Sequence, residues 1–330
     1  MPLLDPHDPA QLASAAAHLA AGELLALPTE TVYGLGARAD EDAAVARIFA
    51  AKGRPADHPL IVHVGSLDDV PRFAAAVSSA AQRLIDTFWP GPLTLILPRR
   101  AGVAAAAAGG QDSIGLRMPS HPAALALLRA AAALGVSGVA APSANRFGRV
   151  SPTTAAHVQQ EFGPALWVLD GGPCAVGIES AIVDCTRPQP ALLRPGQLGR
   201  DRIESVLHAP LGGRDAASPR ASGTLAAHYA PAVPVRLFDL PTQPDTPPPW
   251  AGAPGTPGVY SQAHPAAGGQ AAGLVWRAMP ASSDAVAQEL FAVLRSLEQA
   301  GVCGIWVQRP PPGPAWEGVQ DRLARAAAAG

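Results

Sequence analysis

The chemically richest residues of the chain sit at the end of a short apolar stretch. Leu25 to Leu27 runs into Pro28-Thr29-Glu30-Thr31, and Tyr33, Gly34 and Gly36 follow at once. Two hydroxyls, a carboxylate and a phenol at a strand end, with glycines that admit close backbone approach, are the makings of a binding site. Lys52 and Arg54 come next, two cations bracketing Gly53 where a helical pattern stops before Pro55. Fixed cations beside hydroxyls and glycines suit a polyphosphate. On its own the pair reads more readily as solvated charge favourable to a helix dipole. The design recurs along the chain: Thr29/Thr31, Ser113/Arg117, Ser143/Asn145, Ser180 and Arg194 all lie at the edge of an apolar strand pattern. A single such residue is usually a turn former. A set of them at sheet ends converges on one concave surface.

The elements that must position these residues alternate in type. Asp8 and Pro9 open an alanine-rich helix closed near Gly22, and Asp40 is expected to cap the helix that ends at Lys52. Strands are expected over 23–27, 60–64, 93–97, 114–118, 166–169, 180–185 and 191–194. Helical patterns cover 66–88, with a break, and 121–133, and Ser151-Pro-Thr-Thr reads as a further helix cap. Helices interleave with strands, yet some strand-to-strand connections are short, which predicts a mixed α/β sheet. Residues 1–207 read as this first domain, 208–232 as a linker and 233–330 as a smaller α/β domain. Within the last, residues 241–258 are rich in Pro and Gly and show neither helical nor strand period.

Bulk composition narrows the function classes. The 330 residues include 24 Lys plus Arg and 26 Asp plus Glu, a net charge of −2. That balance gives no strong attraction to nucleic acid or to an anionic membrane, so any RNA binding would be weak and local. The three cysteines, Cys174, Cys185 and Cys303, are far apart, so neither a zinc site nor a disulfide framework is expected. A cytoplasmic protein without a membrane segment is the expectation. The most apolar run, 123–141, contains Arg129 and Gly135 and reads as a buried helix followed by a strand.

Familiar motifs are missing. There is no GxxxxGK[ST], no GxGxxG, no GxSxG and no HExxH, so Walker, dinucleotide, serine-hydrolase and zinc-peptidase chemistries have no support. Instead PTETVYGLG, the KGRP…PL…H segment, WPGPLT, LRMP, APSAN…SP, GIES.IVD and LLRPG occur in this order. Together they resemble the YrdC family. With the HYAP segment at 228–231 and a C-terminal α/β domain, the chain is similar to that family's long, two-domain threonylcarbamoyl-AMP synthases. The resemblance is dense over 10–207, good in the linker and weak in the last domain.

The resemblance implies a twisted mixed sheet with a central cavity, a Rossmann-like second domain and a linker folded over the cavity mouth. It implies an enzyme that condenses L-threonine, bicarbonate and ATP into threonylcarbamoyl-adenylate and pyrophosphate. The product would pass to a transferase complex that modifies an adenosine of transfer RNA. By motif match Lys52 and Arg54 are the catalytic cations, with Ser143 and Asn145 completing a phosphate cradle. His58, Ser113, Ser151, Arg194, His228 and Tyr229 fall at ATP positions. Thr31, His63, Arg117, Ala141 and Ser180 fall at threonine positions. Mg²⁺ would arrive on the phosphates of ATP, with no protein-bound metal or organic cofactor.

Three departures from the family pattern stand out. His58 occupies a position where asparagine is common, Ala181 one where threonine is usual, and Leu225-Ala226-Ala227 one where basic and aromatic residues are frequent. The alternatives are a double-stranded RNA-binding protein using the same cavity without turnover, a hydrogenase-maturation factor of the same fold, and a fold relative without synthase activity. The second would need zinc-ligand cysteines absent here, and relatives of the third kind lack the HYAP linker.

Overall fold

The structure, a computed structural model, describes residues 3–239, 249–263 and 273–329. The first part of the chain runs β1 (Leu3–Leu4), α1 (Pro9–Ala20), β2 (Leu25–Leu27), β3 (Gly34–Arg38), α2 (Asp42–Lys52), β4 (Ile61–His63), α3 (Val70–Phe73), α4 (Ser79–Phe88), β5 (Leu93–Pro98) and β6 (Ser113–Arg117). It continues through α5 (Pro122–Ala133), β7 (Val139–Ala140), α6 (Ala155–Phe162), β8 (Trp167–Leu169), β9 (Ala181–Asp184), β10 (Ala191–Arg194) and α7 (Arg200–Leu207). The strands form a ten-stranded mixed sheet in the order β1-β8-β2-β3-β7-β4-β6-β5-β9-β10.

Local chemistry explains most boundaries. The Asp8 carboxylate accepts from the backbone N–H groups of Ala10 and Gln11 and so starts α1, with Pro9 in the first turn. The expected cap of α2 is corrected. Glu41, not Asp40, holds the N-cap position, and no side chain bonds the helix end. Asp40 is engaged by Arg38, whose Nε and Nη2 donate to its two carboxylate oxygens at 2.8 and 2.9 Å. That two-point contact outcompetes a single cap bond. The break expected within 66–88 separates α3 from α4, and Thr154 rather than Ser151 caps α6. Strand β3 was not expected, because its two glycines lower strand propensity and mask the alternation.

Pairing in the sheet places the strand ends together. β4 lies between parallel β6 and antiparallel β7, so His63 stands directly beside Arg117 in register. β5 runs parallel to β9, which brings Thr94 and the start of β9 side by side.

The second part comprises β11 (Val235–Phe238), β12 (Pro257–Ser261), β13 (Val275–Ala278), α8 (Ser283–Gln299), β14 (Gly304–Gln308) and α9 (Glu317–Ala327). Its strands form a parallel sheet, β11-β14-β12-β13. The reading of 241–258 as irregular needs correction at its end, where β12 begins, buried along its whole length. Residues 241–248 of that stretch lie outside the described residues. Pro257-Gly258 hides the strand, while Val259 and Tyr260 supply the apolar pair that seats it in the core.

The two parts share a hydrophobic cluster. Val32, Val150, Val176 and Ile178 of the first pack with Tyr229 and with Val286, Leu290, Phe291, Val319 and Leu323 of α8 and α9. Two glycines permit this approach. Gly177, at φ 82°, would place a Cβ 2.3 Å from the Gln288 carbonyl oxygen, and Gly318 would place one 2.7 Å from that of Gly196. Contacts so short admit no side chain. Among the described residues no helix is long and apolar enough to cross a membrane.

Candidate active site

A cavity opens where these strand ends converge. One wall carries Thr31, His63, Arg117, Ala141 and Ser180, all five of the residues assigned to threonine, and the other carries Arg54, Ser143 and Arg194. Ser222, Gly223, His228 and Tyr229 close it from above.

The threonine wall is held by a dense polar network. Arg117 Nη1 donates to Thr31 Oγ1 at 2.8 Å and its Nε to the Gly91 carbonyl at 3.1 Å. Its Nη2 sits 2.7 Å from Glu30 Oε1, so the guanidinium already has a carboxylate partner. A guanidinium carries five N–H groups, and these contacts leave donors over for a second carboxylate. Burial pushes the Glu30 carboxyl up, but the adjacent Arg117 charge and hydrogen bond hold it below the usual carboxylate range. Thr29 and Thr31 share a hydroxyl–hydroxyl bond of 2.8 Å, and Thr29 also accepts from the Val32 N–H. Burial, with the Arg117 charge beside it, pushes His63 down to about 3. The ring is therefore neutral at physiological pH, and its Nδ1 has no partner. Ser180 Oγ bonds Thr94 Oγ1 at 2.8 Å and accepts from Arg194 Nη2 at 3.2 Å.

The cationic wall differs from the sequence expectation at Lys52, and also at Asn145, His58 and Ser113, which do not line the cavity. Lys52 is not exposed to the cavity. It is 3 % exposed, and its Nζ donates to the Ser143 carbonyl at 2.6 Å and to that of Asn145. The ammonium thus pins the loop after β7 from beneath. Burial drives its pKa well below the ordinary lysine value, with the Arg54 charge adding to the effect. Arg54 does face the cavity, donating from Nη2 to the Pro59 carbonyl at 3.0 Å and leaving Nε without a partner. Burial pushes it down to about 10. Asn145 uses its amide nitrogen on the carbonyls of Arg146 and Arg149, and its buried Oδ1 has no partner. His58 stands off the cavity, edge-on to the Phe147 ring at 5.5 Å. Ser113 lines a neighbouring cleft that shares Ile61 and Ser222 with the main cavity.

The Ser151 hydroxyl donates to Glu179 Oε1, turning it toward a carboxylate that lines the cavity. Glu179 in turn receives Arg322 Nε of α9 at 2.8 Å on Oε2. The same guanidinium lies over the Tyr229 ring, 5.2 Å from its centroid. The sequence reading counts the Glu30 carboxylate in the site without assigning it a role, and it misses Glu179 and Arg322. Glu179 lies inside a motif whose visible polar residue is Ser180, and the arginine lies on what looks like the wet face of an amphipathic helix.

The roof is latched on both sides. Ser222 Oγ donates to the Pro59 carbonyl at 2.7 Å, and Arg220 Nη1 reaches Asp57 at 2.8 Å. From the other side Arg325 Nη1 donates to the Leu225 carbonyl, and the His228 N–H donates to the Arg325 carbonyl at 3.2 Å. Tyr229 adopts φ 62°, a left-handed conformation that turns its ring inward against Phe291. Burial pushes His228 down to about 3, so this ring is also neutral at physiological pH.

A family model described as telomere recombination, of the Sua5, YciO and YrdC proteins, matches residues 17–196. A second, described as the threonylcarbamoyl-AMP synthase C-terminal domain, matches residues 198–328. The chain belongs to the Sua5/YciO/YrdC family. A relative in Pyrococcus abyssi, named threonylcarbamoyl-AMP synthase, is 43 % identical over 233 residues, covering 69 % of this chain and 67 % of its own length. Its Bacillus subtilis namesake is 42 % identical over 244 residues, covering 72 % and 68 %. The crystal structure of P. abyssi Sua5 complexed with L-threonine superposes with a TM-score of 0.87 at 33 % identity, covering 98 % of this chain and 95 % of that one. The long, two-part form of this Sua5/YciO/YrdC protein therefore has a solved counterpart along almost its whole length.

Proposed function

We propose that the chain is a threonylcarbamoyl-AMP synthase, which joins L-threonine, bicarbonate and ATP into threonylcarbamoyl-adenylate with release of pyrophosphate and water. The observation that carries this reading is one closed cavity in which Thr31, His63, Arg117 and Ser180 face Arg54, Ser143 and Arg194. The family membership gives that cavity its chemistry.

Threonine enters with its carboxylate toward the free donors of Arg117, since a guanidinium binds a carboxylate through parallel hydrogen bonds. The neutral His63 ring and the Thr31 hydroxyl offer hydrogen-bonding partners to the substrate hydroxyl. The threonine amine attacks bicarbonate, and the carbamate so formed attacks the α-phosphorus before it can lose CO₂. The gain comes from holding the reactants together and excluding water, more than from a strong base. Arg54 and Arg194 supply positive charge to the polyphosphate as pyrophosphate departs. Lys52 acts from beneath, fixing the 143–145 backbone against which the phosphates rest.

Mg²⁺ enters as part of the ATP substrate. The pairing of the nearby carboxylates supports this reading: Glu179, which lines the cavity, is held by Arg322, and Glu30 by Arg117. The adenylate passes to a transferase acting on transfer RNA. A cavity under a roof latched from both sides suits small molecules rather than a duplex, so the RNA-binding alternative is not favoured. The deciding experiment is pyrophosphate release by the purified protein. Release should require threonine and bicarbonate together, and release with ATP alone at the same rate would overturn the reading.

A further inference from the structure

The second part of the chain reaches a charged group of the cavity wall through Arg322. Arg322 of α9 is fully buried, and it donates to Glu179 twice, from Nε to Oε2 at 2.8 Å and from Nη2 to the carbonyl at 3.2 Å. Its Nη1 reaches the Pro195 carbonyl at 3.1 Å and Asp321 at 2.6 Å. Glu179 lines the cavity beside Arg54, Arg194 and His228, where the phosphates of ATP are proposed to lie. An unpaired buried carboxylate there would repel a polyphosphate and would cancel the charge of the cations meant for it.

We propose that Arg322 is a positioning residue for ATP: it neutralises Glu179 and so makes the cavity of the first domain receptive to a polyphosphate anion. The second domain is then part of the electrostatics of the site, in addition to latching its roof. Three observations carry this. Arg322 is fully buried on a face of α9 turned into the first domain, and it donates there to the Glu179 carboxylate, the Glu179 carbonyl and the Pro195 carbonyl. Glu179 also takes the Ser151 hydroxyl on Oε1, so both carboxylate oxygens are engaged and its side chain is fixed. Finally, the Arg322 guanidinium lies over the Tyr229 ring, so the group that neutralises the wall also seats the roof.

The inference rests on the proposed ATP site and is tested by binding, apart from turnover. ATP affinity is measured by calorimetry on the full chain for the wild type, Arg322→Met, Arg322→Lys and the double variant Glu179→Gln/Arg322→Met. Arg322→Met should weaken ATP binding at least tenfold at pH 8, and Arg322→Lys should weaken it less than threefold. The double variant should recover most of the lost affinity, which a merely structural role for Arg322 would not allow.

A pH series adds a second readout. Charged or titratable groups around Glu179 are Arg322 and Asp321 from α9, Arg194 from β10, Lys52 from α2, and His228 and Tyr229 from the roof. Without Arg322 the Glu179 carboxyl rises toward neutrality. Affinity of Arg322→Met should therefore improve from pH 8.5 to pH 6 relative to the double variant at each pH. Equal affinity of Arg322→Met and wild type, or a double variant no better than Arg322→Met, overturns the proposal. So does a double variant that fails to fold. If only Arg322→Met fails to fold while the double variant folds and binds ATP, the unpaired Glu179 charge is the cause, as proposed. Failure of the synthase reading would show separately, as wild-type protein that binds ATP yet releases no pyrophosphate with threonine and bicarbonate.

Discussion

Arg117 Nη2 lies 2.7 Å from Glu30 Oε1, with both side chains buried, so the arginine that awaits a substrate carboxylate already holds one of the protein's own. The pair carries no net charge, and Glu30 fixes the plane of the guanidinium. Removing one member of a buried pair leaves the other uncompensated, at a cost of about 3–5 kcal/mol. Glu30→Gln should therefore lower the thermal midpoint by roughly 10 °C, read by calorimetry. A loss under about 2 °C would mean the pair is far wetter than the structure has it.

Substrate choice follows from the same wall. Serine lacks only the methyl of threonine, worth roughly 1 kcal/mol in an apolar contact, so serine should be used about fivefold less well. Valine leaves Thr31 and His63 without their hydroxyl partner and should fall by at least ~100-fold in kcat/KM. Equal use of valine and threonine in the pyrophosphate assay would show the pocket to be misassigned.

The two cations should separate on mutation. Arg54→Ala removes charge from the cavity and should cut turnover at least ~10-fold, about 1.4 kcal/mol, while leaving stability little changed. Lys52→Ala strips two buried carbonyls of their donor and should lose stability as well, by about 1–3 kcal/mol. The lysine looks from sequence like the solvated end of α2, and that expectation would have it fold unharmed. Urea denaturation of both variants checks the contrast, and an undiminished Lys52→Ala midpoint would count against the pinning role.

Legibility of the site in the sequence divides along these lines. Strand-end residues such as Thr31, Arg117 and Ser180 are visible in the sequence, because a pattern of apolar runs ending in polar residues is local, whereas His63 is visible only through the family resemblance. Whether a side chain reaches the cavity or pins its floor is not visible, as Lys52 shows, because that depends on where the loop after β7 passes. Ion pairs such as Glu179–Arg322 join positions 143 residues apart and leave no local pattern. The sheet was legible wherever strands alternate or run apolar. It was hidden at β3 and β12, where glycine and proline mask strands that tertiary packing nonetheless fixes.

Acid should weaken the fold in a defined window. His63 and His228 sit at about 3 in the folded state, against about 6.5 when unfolded. Below about 6.5 the unfolded chain binds protons that the folded chain refuses, so stability is full above that pH and declines toward pH 3. At pH 5 each ring should cost about 2 kcal/mol. Glu30 and Glu179, held below their ordinary values, add losses as pH falls through the carboxylate range. The unfolding free energy between pH 7.5 and 4.5 should fall steeply in the wild type and less so in His63→Asn. A flat profile would mean that the rings are accessible to solvent.

The roof should respond to ligand. Its latches join both parts of the chain, and the adenylate must leave once formed, so the cover has to open. ATP with threonine should protect the peptide bonds of 222–230 from proteolysis. Truncation after Leu211 should leave a folded first domain that has lost most adenylate formation. Full synthase activity of the truncated protein, with unchanged proteolysis of the intact one, would reduce the segment to a tether.

The span between Glu179 and Arg322 also has a meaning in time. A ribosome adding about 5–20 residues per second needs roughly 7–30 s to travel from one to the other. Throughout that interval the nascent first domain carries its carboxylate without the arginine that masks it. On the proposed role of Arg322, strong ATP binding would be a late event of synthesis, gained only when α9 docks.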